Sequence, residues 1–188
     1  MQSPSLYRAK RSIGALFFSV FGGIFFLVGA VRGYGVSPIL LGIILVCTAG
    51  IVAFAYGTYS VHKSALAQES ETPEKKRADT LFHIINAGQW VVILIGGNVL
   101  ANIGLSSWIL PMATAIIGLH FLPLAKLFRY PPHYITGCLL LLWAISYPLI
   151  LPLGGENSFG CFGAGFILWA SALYGLLSKP HESAAEMI

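Results

Sequence analysis

Six apolar runs of about 20 residues, none containing an aspartate or glutamate, constrain this chain more than any other feature. A hydrocarbon core is about 30 Å thick, and a helix rising about 1.5 Å per residue crosses it in roughly 20 residues. The runs cover residues 12–31, 36–56, 81–103, 108–127, 133–153 and 158–178. The chain has 188 residues, 56% hydrophobic and 10% charged, with mean hydropathy +0.78. A soluble domain carries about 25% charged residues, so no single water-soluble core can hide this much apolar surface. The bilayer is the expected solvent, and the expected fold class is an all-α integral membrane protein with six transmembrane helices.

The positive charges orient those helices, because Lys and Arg are retained on the cytoplasmic side. Arg8, Lys10 and Arg11 precede the first run; Lys63, Lys75, Lys76 and Arg77 lie between the second and third; Lys126 and Arg129 follow the fourth, and Lys179 the last. All ten fall on one side of a six-helix map, leaving only Arg32 on the other, close enough to a helix end to snorkel. Both termini are therefore expected in the cytoplasm of a plasma membrane or bacterial inner membrane, whereas an odd number of helices would scatter the charge. The first run is longer than a signal-peptide core, and Leu27–Ala30 makes a poor cleavage site, so it reads as a retained helix. The isoelectric point near 9.1 reflects the topological bias and contact with anionic headgroups rather than nucleic acid.

Short outer connections at 32–35, 104–107 and 154–157, each containing Gly, Ser or Asn, arrange the helices as three antiparallel hairpins forming one bundle. The one long polar stretch, 60–80, reads as a cytoplasmic linker, with partner docking as its alternative. Small residues mark packing seams: Ser19 and Gly23; Ala49, Ala53 and Gly57; Gly160 and Ala164. Such seams join helices within one chain or between copies in a homo-oligomer. No internal repeat of the kind many transporters carry is visible.

The third run is chemically unusual. His83, Asn86, Gln89, Asn98 and Asn102 lie where lipid offers no hydrogen-bond partner, so this helix is expected to face protein or water. His83, Asn86 and Gln89 share a face, but Gln89 and Asn98 are about 900° apart on a straight helix, so a continuous polar stripe needs a bend at Gly96 and Gly97. Trp90, Trp143 and Trp169 map near the bilayer midplane at the depth of Gln89, although indoles favour the interfaces. Two accounts follow. Either the amides and indoles bond neighbouring helices, or Asn86, Gln89 and Asn98 give polar contacts in an indole-walled cavity for a small neutral or apolar ligand.

His83 and His120 lie at similar depth on adjacent helices and form a candidate inner gate. Pro123 cannot donate to the Leu119 carbonyl, which stays free beside His120. Such an imidazole pair also suits haem or quinone, making a membrane redox protein the main alternative. A structural metal site wants about four ligands at a specific spacing, and none is visible. The acids fall outside the spans, with Asp79 at an edge and Glu156 in an outer turn, which disfavours an acidic proton relay or a divalent-cation transporter. Cys47, Cys138 and Cys161 map to different depths and read as packing residues. No catalytic motif is recognisable, so an enzyme is the less favoured class. Three functions stand: a solute binder or transporter, a haem or quinone protein, and a non-catalytic assembly subunit.

Overall fold

The structure, a computed structural model, describes residues 3–151 and 158–178. Its elements are α1 (Pro4–Tyr34), α2 (Pro38–His62), the single turn α3 (Ser64–Ala67), α4 (Pro73–Asn102), α5 (Ile109–Leu127), α6 (Pro132–Ile150) and α7 (Phe159–Leu177), with a 3₁₀ turn at Ser106–Trp108. No strand occurs among the described residues. Six of these helices, α3 excepted, are long and apolar enough to cross a membrane. The connection at 154–157, with Glu156, and the residues Lys179 and His181 lie outside the described residues.

Two helices begin well before their apolar runs, and local chemistry explains why. Ser3 Oγ accepts from the Leu6 amide at 3.2 Å and Thr72 Oγ1 from the Lys75 amide at 3.2 Å, each followed by proline in the first turn. A capping hydroxyl satisfies an amide that has no partner in the helix, and proline there forfeits nothing. The polar stretch at 60–80 is thus largely helical. Turns follow α1 and α4 at Gly35 (φ 69°) and Gly104 (φ 77°), a backbone region L side chains avoid.

Small residues let the helices approach closely. The most extensive packing joins α1 to α7, then α1 to α2 and α5 to α6, with α4 on α5 and α6 on α7. In space the order is α2, α1, α7, α6, α5, α4. A Cβ at Gly22 would meet Trp169 at 2.4 Å, one at Gly23 would meet Thr48 at 2.5 Å, and one at Gly118 would meet the Gly137 carbonyl at 2.9 Å. The seam residues Ser19, Gly23, Gly160 and Ala164 therefore work within the chain, whereas Ala49, Ala53 and Gly57 face outward. Phe18, Phe121, Leu124, Leu140 and Leu168 fill the centre.

The segment between α2 and α4 is tied down. Glu69 pairs with Lys10 on α1 and with Lys75, at 3.1 Å, in the first turn of α4. Partial burial pushes the Glu69 carboxyl up, but the hydrogen bonds and charges of Lys10 and Lys75 outweigh it and hold the group below its ordinary 4.5. A lowered carboxylate stabilises above its ordinary value and loses that contribution as pH falls through the lowered one. Protease cleavage within 64–72 is expected to stay slow at neutral pH and to accelerate once pH drops below about 4.5. Glu69→Gln should be cleaved fast at every pH. An unchanged profile in that variant would mean the pairs hold nothing.

Candidate functional site

Basic side chains gather at one end of the bundle, and the largest group of polar atoms without partners begins there. The Arg11 guanidinium lies 3.8 Å from the Tyr7 ring centroid and 4.4 Å from that of Tyr130, and it donates to Ser178 Oγ. Tyr130 is presented by the turn between α5 and α6, where Arg129 takes φ 48° and the Tyr130 amide bonds the Ala125 carbonyl at 2.9 Å. Burial pushes the Tyr130 phenol up, and the Arg11 charge offsets only part of that.

His133, in the first turn of α6, stands in an aromatic box. Its ring centroid lies 4.7 Å from Tyr130, 5.6 Å from Phe121 and 5.8 Å from Phe18. His120 packs against Phe121 at 5.5 Å and lies beside the Ile85 backbone of α4. Phe121 thus touches both imidazoles. Gln89 sits four residues, about one turn, beyond Ile85 and so shares its face of α4.

Four atoms in this row are buried with no hydrogen-bond partner: Arg11 Nε, His133 Nδ1, His120 Nδ1 and Gln89 Oε1. Each such group costs about 1–3 kcal/mol unless something supplies the missing bond. Toward the other end of the bundle, Thr114 Oγ1 and the Tyr147 hydroxyl are buried and unpartnered as well. The row runs from the basic end toward the middle of α4, lined alternately by rings and nitrogens. It can give a hydrogen bond at Arg11 and take one at Gln89 from a polar atom, such as a hydroxyl, carried on an otherwise apolar molecule.

The remaining candidates are placed as follows. Trp143 Nε1 donates to the Gly160 carbonyl at 2.9 Å across α6 and α7, and Trp169 Nε1 donates to the Ser19 carbonyl at 3.0 Å across α7 and α1. Trp90 is exposed beside Phe21 at 6.2 Å. The three indoles thus serve three different helix pairs, and no ring contact among the described residues joins them. Asn86 is half-buried, one turn from Gln89. Asn98 and Asn102 are exposed, each donating at 2.8 Å to the carbonyl four residues earlier, Leu94 and Asn98. That local bonding is why α4, with no fully buried residue, tolerates amides on its outward face instead of requiring protein or water there. His83 is exposed on α4 and, among the described residues, makes ring contact with its neighbour Phe82, while the other imidazole of this row beside His120 is His133, both against Phe121. Among the described residues, no three His, Cys, Asp or Glu side chains gather as metal ligands.

Sequence reasoning did not single out His133, Tyr130 or Arg11 as parts of a site. The available signal was the Tyr130-Pro131-Pro132-His133 string, which sets an aromatic and an imidazole at the basic end of α6. Only folding brings α1 against it. No known protein family, no curated protein and no solved structure matches the chain, so the geometry of these residues carries the functional reading.

Proposed function

We propose that this chain is a plasma-membrane protein of three antiparallel helical hairpins that binds, and passes inward or outward, a small neutral or apolar solute bearing one polar atom. Its basic end faces the cytoplasm, in a bacterium from the inner membrane, because Lys and Arg are retained on that side. His133 and His120 line the entrance, and Gln89, with Asn86 one turn away, gives the inner polar contact. The observation that carries this is the row of buried nitrogens and one carbonyl left without partners between Arg11 and Gln89. A solute hydroxyl, which both donates and accepts, would take a bond from Arg11 Nε and give one to Gln89 Oε1 in turn, and the rings of Phe18 and Phe121 would cover its apolar body.

Native mass spectrometry of the full chain in mild detergent tests the proposal. The wild type is expected to retain a small molecule that Gln89→Leu and His133→Leu both lose. A structural role for Gln89 gives the opposite pattern: no retained mass in the wild type, and a Gln89→Leu variant that melts higher because an unpartnered carbonyl is gone. That pattern would sink the proposal. A retained haem would show as a Soret band, and its loss in His120→Ala would move the assignment to a redox protein.

A further inference from the structure

Arg8 differs from its neighbours. Lys10 is paired with Glu69 and Arg11 with the tyrosines and Ser178, yet Arg8 is exposed and forms no ion pair among the described residues. It stands at the end of a groove of about 460 Å³ between α1 and α2, whose walls are Ala53, Phe54, Gly57, Thr58, Val61 and, beside Arg8, His62, the Thr58 hydroxyl being bonded to the Phe54 carbonyl at 3.0 Å. The walls are open: Val61 is 74% exposed, and a Cβ on Gly57 would meet nothing within 4 Å. A second groove, about 320 Å³ along Ile13, Leu16, Phe17, Val20 and Phe21, has no charged or polar lining at all.

We infer that the α1–α2 groove binds one anionic phospholipid, with its phosphate on Arg8 and His62 and an acyl chain along Ala53 and Gly57. The inference depends on the helices crossing a bilayer and is independent of the solute row. Charge complementarity selects the occupant. An apolar trough that ends in a free guanidinium at the basic end matches an amphiphile whose head is negative and whose tail lies along the helix axis. A zwitterionic lipid would present its own ammonium to the same guanidinium, and a second copy of this face would set Arg8 near Arg8.

The experiment is lipid titration of the full-length protein in mild detergent, read by native mass spectrometry, with phosphatidylglycerol and phosphatidylcholine of identical acyl chains. The wild type is expected to hold one phosphatidylglycerol about five-fold more strongly than phosphatidylcholine. Arg8→Gln with His62→Gln should bring the ratio close to one. Gly57→Leu should reduce retention of both lipids by filling the trough. Lys76→Gln, at an exposed residue away from the groove, should leave the preference intact. Three results would overturn the inference: a double variant that keeps the preference, a Lys76→Gln variant that loses it equally, or a lipid-free wild-type dimer that Gly57→Leu separates. Melting curves of all variants check that each remains folded; Arg8, Gly57 and Lys76 are exposed and His62 is half-buried, so no large loss of stability is expected.

Discussion

Replacing Gly137 with valine should prevent α5 and α6 from packing and leave little folded protein. A Cβ at Gly137 would lie 2.7 Å from the Gly118 carbonyl oxygen, and one at Gly118 would lie 2.9 Å from the Gly137 carbonyl oxygen. Both obstacles are backbone, so no rotamer change relieves them and the helices must separate. In lipid, close packing rather than water exclusion holds helices together, and separation removes that dispersion along the whole seam. Overpacking costs about 1–3 kcal/mol where side chains can shift, and here the upper end or more is expected. Thermal melting and the monodisperse fraction in detergent measure it. Gly14→Ala is the control, since a Cβ there meets nothing within 4 Å and the helix interior gains from losing a glycine. Equal behaviour of the two variants would show that the α5–α6 contact is dispensable.

Trp169→Ala is expected to be the most damaging truncation. The indole lies over Gly22, packs on Phe26 at 4.5 Å between centroids, and ties α7 to α1 through the Ser19 carbonyl. Trp169 is half-buried; cutting a fully buried aromatic back to alanine costs about 3–5 kcal/mol in water-soluble proteins, so the lower end is expected here, its cavity portion persisting in lipid. Trp169→Phe keeps most of the ring and loses only the N–H bond, worth about 1 kcal/mol. Unfolding midpoints should therefore fall in the order wild type, Trp169→Phe, Trp169→Ala. If Trp169→Phe were as damaging as the alanine variant, the hydrogen bond rather than packing would hold the seam.

Sequence carried the six spans because length and hydropathy alone distinguish a membrane-crossing helix, and Gly35 and Gly104 marked two turns by their backbone freedom. It also carried the opposed faces of α4: nine residues on a straight helix set Gln89 and Asn98 apart, and α4 runs unbroken from Pro73 to Asn102 with Gln89 Oε1 inside and Asn98 outside. Partners were beyond its reach. The indoles of Trp143 and Trp169 spend their donors on backbone carbonyls 17 and 150 residues away, a choice decided by which helices become neighbours. The pairing of His120 with His133 through Phe121 hides for the same reason, since nothing in the spacing of α5 and α6 sets their rotation. The caps at Ser3 and Thr72, in contrast, were visible as Ser-Pro and Thr-Pro, and the hydropathy limits of the spans masked them.

The spatial order, with α7 lodged between α1 and α6, bears on how the protein is made. α7 is synthesised after every other described helix, yet its packing against α1 is the most extensive in the bundle. Until it inserts, α1–α2 and α4–α5–α6 meet through ring contacts such as Phe18–Phe121 and Phe21–Trp90 but lack the α1–α7 seam, and the small residues of α1 at Ser19, Gly22 and Gly29 lie against lipid. Assembly is then a late closure. Two preformed groups of helices wait in the membrane for a C-terminal keystone, and a chain stopped before residue 159 would present a ready-made recognition face to membrane quality control.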